Sequence, residues 1–115
     1  MTPLPLQPIF KGGNMLKQVK IGGFVYKIDF PYIFKERSDL IAQASHAELT
    51  IRLRKCDDGG EDYHKNRLLE AILHEILHCI DYVYNNESLQ EKQVEGMSRG
   101  IYQVFKDNDL SELFE

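Results

Sequence analysis

Residues 74–78 read His-Glu-Ile-Leu-His, and they sit inside a run whose apolar residues recur at helical spacing. Side chains four apart on a helix stand one above the other, so His74 and His78 can reach a single ion with their rings. Zinc takes imidazole nitrogen at about 2.0–2.1 Å, and a catalytic site normally keeps three protein ligands and one open position. Glu75, next to the first histidine, is then sited to act as a base on a water in that position. The motif therefore demands an amphipathic helix with one face in a core. Its other face must be partly roofed by an element that completes the ligand set.

The run supports this. Leu68, Leu69, Ile72, Leu73, Ile76, Leu77, Ile80 and Val83 form one stripe of a helix expected from about 62 to 85. His74 and His78 fall opposite it, beside Arg67, Glu70 and Asp81. Ala71, one turn before the motif, leaves room for a cleft. Asn85-Asn86 breaks the chain, and a second helix is expected from about 89 to 107, with Val94, Met97, Ile101, Val104 and Phe105 on one stripe. Ser88-Leu89-Gln90-Glu91 has the capping-box form. Gly96 and Gly100, four apart, suit close approach to a neighbour.

Upstream, Val19 and Ile21 alternate with lysines, Gly22-Gly23 supplies a turn, and Phe24, Tyr26 and Ile28 alternate again, a hairpin pattern. Leu49, Ile51 and Leu53 give a further strand. The expected fold class is α+β: a small antiparallel sheet, made of the N-terminal hairpin and one more strand, packed with two C-terminal antiparallel helices, the first carrying the motif. Residues 1–14 hold three prolines in the first eight positions and end Gly12-Gly13-Asn14, which reads as a flexible leader or an expression remnant. A single domain is expected over 15–115.

The 115 residues fit one small core. A formal net charge of −4 argues against a nucleic-acid footprint. Arg52, Arg54 and Lys55 are more simply a solvated strand face. No apolar run is long enough for a membrane span, and no signal-peptide pattern opens the chain. Cys56 and Cys79 belong to no C-x-x-C pair and read as free thiols in a reducing compartment, hence a cytoplasmic location.

The third ligand remains open between two carboxylates. No histidine follows the motif. His46 and His64 precede it, and His64 would lie about 15 Å from His74 along the helix axis. Glu91, thirteen residues after His78, can be brought back by a tight turn; Glu95 lies one turn further. Asp81 is a candidate outer partner that orients an imidazole. Tyr82 and Tyr102 are conceivable oxyanion donors, although half-buried packing is the simpler role for each.

With His74-Glu75-x-x-His78 followed by Glu91-Lys92-Gln93-Val94-Glu95, the chain resembles a gluzincin-type zincin metallopeptidase. The stretch from Leu73 to Asn108 is also similar to short phage and prophage proteins regarded as minimal zincin-like domains. The resemblance covers about a third of the chain. It implies a Zn2+ cofactor held by His74, His78 and Glu91, with Glu95 bonding a ligand histidine. It also implies Glu75 as general base in hydrolysis of a peptide or protein substrate, in the cytoplasm of a bacterial or phage-infected cell. Asp81 stands where a metzincin has glycine. The short link between the helices leaves little room for a substrate-binding subdomain, which keeps open a second expectation: a non-catalytic binding or structural module with the zincin fold. The strand 49–53 is expected to offer an edge to an extended peptide.

Overall fold

The computed structural model describes residues 17–35 and 39–114, so the expectation for residues 1–14 lies outside the described residues. Strand β1 (Gln18–Ile21) and strand β2 (Phe24–Asp29) form the expected hairpin, with Val19 paired to Tyr26. Gly22 makes the turn at φ 61, where a side chain is strained; a Cβ there would also meet Val83 Cγ1 at 2.7 Å.

Two further strands follow, β3 (Ala42–Ser45) and β4 (Thr50–Leu53). The sheet order is β1-β2-β4-β3. The fold is α+β as expected, but the sheet is mixed and not antiparallel throughout: β2 and β4 run parallel, and β3 pairs antiparallel with β4. The cause lies in the connection after β2. It carries the chain past the end of β4, so that β3 descends on the outside and β4 returns beside β2. Backbone bonds from Tyr32 N to Leu53 O (2.9 Å) and from Arg54 N to Ile41 O (2.8 Å) tie this connection to the end of β4. Arg52 and Arg54 are engaged locally, with Glu48 at 2.5 Å and Asp58 at 2.8 Å.

Helix α1 (Lys65–Tyr84) lies across the sheet. Its buried residues Leu68, Ile72 and Cys79 meet Ile21, Tyr26, Ile28, Ile51 and Leu53, which alternate along the strands and so share one face. At the helix start, His64 Nδ1 accepts the Asn66 amide at 3.2 Å, which gives this histidine a capping role. Helix α2 (Glu91–Asp107) returns along α1: Glu91 lies against His74 and His78, while Ser98 and Arg99 share a cleft with Arg67 and Ala71. A short 3-10 turn follows at Leu110–Phe114.

Three local expectations for α2 need correction. The N-cap is Gln90, which forms a reciprocal box with Gln93, whereas the Ser88 hydroxyl donates to Asn85 O at 2.7 Å. A Cβ on Gly96 or Gly100 would meet nothing within 4 Å, so neither glycine serves a close approach. Of the apolar stripe, Val94 is buried, but Met97, Ile101, Val104 and Phe105 remain exposed, because α2 buries itself on α1 through Val94 and Ser98 near its start. Among the described residues no helix is long and apolar enough to cross a membrane.

Beneath α1, the wholly buried Tyr26 hydroxyl lies 3.1 Å from His46 Nδ1 and bonds the buried Cys79 thiol. Burial pushes Tyr26 from 10.0 up to about 12 and Cys79 from 9.0 up to about 12. Both folded values lie above the unfolded ones, so their stabilisation is complete below pH 9 and is lost as pH rises toward 12. The urea midpoint is therefore expected to fall between pH 8 and pH 10.5. An unchanged midpoint would show that neither group resists ionisation. Over the same range Cys56, which is partly exposed, should react with a thiol reagent in the native protein while Cys79 does not.

Candidate metal centre

Helix periodicity sets the first two groups. His74 and His78, one turn apart on α1, turn their rings toward each other, with the two Nε2 atoms 3.1 Å apart. Glu91, the first residue of α2, meets both: its Oε1 lies 2.6 Å from His74 Nε2 and its Oε2 lies 2.8 Å from His78 Nε2. One ligand atom from each residue falls within a 4.8 Å group. Two ligands at about 2.0–2.1 Å from a tetrahedral ion stand about 3.4 Å apart. The imidazole pair is close to that spacing, and the carboxylate would withdraw by about 0.6–0.8 Å to admit an ion. The side chains of His74 and His78 are 20% and 27% exposed and that of Glu91 is 67% exposed, so the group opens to solvent on one side. A donor set of two imidazoles and one carboxylate with an accessible fourth position matches a catalytic type of zinc site.

Glu75 lies beside this group, between α1 and the outer strand β3. Its half-buried carboxylate accepts the Ala44 backbone N–H. Burial raises its pKa above the ordinary carboxylate range and the Glu91 carboxylate adds to this, while His78 and the Ala44 amide pull the other way. A base with a raised pKa is a better proton acceptor near neutral pH.

The groups line a cleft with two lobes. One, of about 440 Å³, runs toward Arg67, Ala71, Ser98 and Arg99; the other, of about 380 Å³, runs along Gln43 and Ala44 of β3. His74, Glu75 and Glu91 border both. Ala71 thus lies where its small side chain leaves space.

Other sequence candidates lie elsewhere or differently employed. Glu95 pairs with Arg99 at 2.7 Å and bonds neither imidazole; it lines the larger lobe. Asp81 is 2% exposed and is no surface charge. Its carboxylate accepts Asn85 Nδ2 at 2.9 Å and the Leu89 amide at 3.2 Å, with no bond to a histidine ring. Tyr82 stacks on His46 with ring centres 4.1 Å apart, and Tyr102 lies near Lys106. The strand 49–53 is not an edge: β4 is paired on both sides, and β3 is the strand that borders the cleft. Sequence reasoning missed β3 and its Ala44 amide, a backbone group with no side-chain signal. Arg67 did carry one, since it falls on the same helix face as the histidines.

Searches against protein-family models, curated proteins and solved structures find no match to this chain.

Proposed function

We propose that the chain is a small zinc-dependent peptidase in which His74, His78 and Glu91 hold the ion and Glu75 is the general base. The observation that carries this reading is the convergence of two imidazole nitrogens and one carboxylate within 4.8 Å, with Glu75 beside them on the cleft wall. Zinc bound there would supply Lewis acidity, lowering the pKa of water and polarising a carbonyl. Glu75 takes the proton of the attacking water as the new C–O bond forms, then passes it to the leaving amine as the C–N bond breaks.

The substrate class follows from the cleft wall. The outer side of β3 is unpaired among the described residues, and the smaller lobe runs along it. An extended peptide is the ligand that such an edge accepts through main-chain bonds. A binding module without turnover is the second reading, favoured by the short link of residues 85–90 between the helices. Glu75 argues against it, because a structural zinc site needs no base and closes all four positions with protein ligands.

Comparing Glu91→Ala with Glu95→Ala tests the ligand set. Zinc titration against a chromophoric chelator is expected to show at least a 100-fold loss for Glu91→Ala, beyond the roughly 10–100-fold typical of an outer partner. Glu95→Ala should lose less than about tenfold, since its side chain bonds Arg99 and no histidine. Equal losses, or a larger one for Glu95→Ala, would remove Glu91 from the site.

A further inference from the structure

We infer that Asp81 is a positioning residue for the third ligand, fixing the turn between the helices so that Glu91 starts α2 facing His74 and His78. The inference rests on the proposed metal site and concerns how that site is assembled.

Glu91 has little else to hold it. Its side chain is 67% exposed, and among the described residues its polar contacts are the two histidine rings. Where its carboxylate sits is therefore decided by where the backbone of α2 begins. Between the helices the chain has only residues 85–90 in which to reverse, and it does so with Asn86 and Glu87 both in left-handed conformations, at φ 53 and φ 56. Such conformations are disfavoured for residues with side chains and persist where the surroundings impose them.

Asp81 supplies those surroundings. Its backbone oxygen accepts the amides of Asn85 (2.9 Å) and Glu87 (3.0 Å), so the main chain of one residue closes both the helix end and the first left-handed turn. Its carboxylate accepts Asn85 Nδ2 at 2.9 Å and reaches across to the Leu89 amide, at 3.3 Å from Oδ1 and 3.2 Å from Oδ2. Leu89 is two residues before Glu91, and Gln90 between them is the N-cap of α2. A 2% exposed carboxylate thus spans the whole reversal and ends next to the residue that starts the ligand helix. Packing of Val94 sets the rotation of α2 on α1; the Asp81 bonds set where the helix starts.

Asp81→Asn keeps the size but removes the charge that strengthens both bonds, and it sets an NH2 group in place of the oxygen that meets the Leu89 amide at 3.2 Å, donor against donor. The test is a zinc titration of the full chain against a chromophoric chelator, arranged as a double-mutant cycle of Asp81→Asn with Glu91→Ala. The expected result is a loss of about 10–100-fold in zinc affinity for Asp81→Asn, the range for a residue acting through a ligand. In the Glu91→Ala background the same substitution should cost nothing further, because the ligand it positions is gone. Unchanged affinity in Asp81→Asn overturns the inference. So does a loss that adds in full to that of Glu91→Ala, which is what general destabilisation would give. If Asp81→Asn does not fold, Asn85→Ala decides by the same cycle: its side chain is exposed and it removes the 2.9 Å bond. Absence of zinc binding by the wild-type chain would overturn the metal site itself, and this inference with it.

Discussion

Replacing either His74 or His78 by alanine is expected to abolish tight zinc binding. The proposed site has three protein ligands, and the variant would keep two. The two rings act as a pair, with their Nε2 atoms 3.1 Å apart and facing one carboxylate, so neither remaining residue can cover for the other. The other two histidines offer no replacement. His64 is occupied in capping α1, and His46 lies between Tyr26 and Tyr82. The loss should exceed the roughly 100-fold upper range seen when only an outer partner is removed. Both side chains are part-exposed and outside the core cluster, so each variant should fold, which circular dichroism would verify. A variant that keeps wild-type affinity would take that histidine out of the ligand set.

Glu75→Gln is expected to keep the zinc and lose hydrolysis. Removing a positioned general base typically costs about 10²–10⁴-fold in rate. The glutamine oxygen can still accept the Ala44 amide, so the wall of the cleft should stay intact. Stability gives an independent readout with a definite sign. The folded pKa of Glu75 is raised, chiefly by burial, so the ionised carboxylate opposes folding above that value. In the metal-free protein Glu75→Gln should therefore be at least as stable as wild type at pH 7, with the difference disappearing in acid where the wild-type carboxyl is protonated. Cleavage of a peptide mixture, read by mass spectrometry, reports the rate. Equal cleavage by the variant would remove Glu75 as the base, and loss of metal in the variant would make it a ligand instead.

The parts of the molecule legible in the sequence are those fixed by local spacing. The motif helix, the β1–β2 hairpin and the return of α2 all follow from periodicity and from glycine and asparagine at the turns. Glu91 was legible for the same reason, since a short link leaves the start of α2 close to the end of α1. Ala42-Gln43-Ala44-Ser45 carries almost no strand propensity, and it is extended because β4 offers it a partner. Small side chains there also let α1 come close enough for Glu75 to reach the Ala44 amide. Parallel pairing of β2 with β4 is a non-local choice that no single segment encodes. Asp81 is expected to orient an imidazole because a helix wheel puts it on the histidine face, but the turn that folds over that face and takes its carboxylate is not on the wheel. Glu95 illustrates the same limit: its position suits a histidine contact, but Arg99, one turn on, takes its carboxylate.

The central claim is that His74, His78 and Glu91 form a zinc site. Elemental analysis of the purified wild-type chain, made without a metal-affinity tag and repeated after reconstitution with zinc and dialysis, tests it most directly. About one zinc per chain is the expected content, falling to background in His78→Ala. A wild-type chain that retains no zinc after reconstitution would contradict the claim and leave the two histidines and Glu91 as a hydrogen-bonded cluster on the open face of α1.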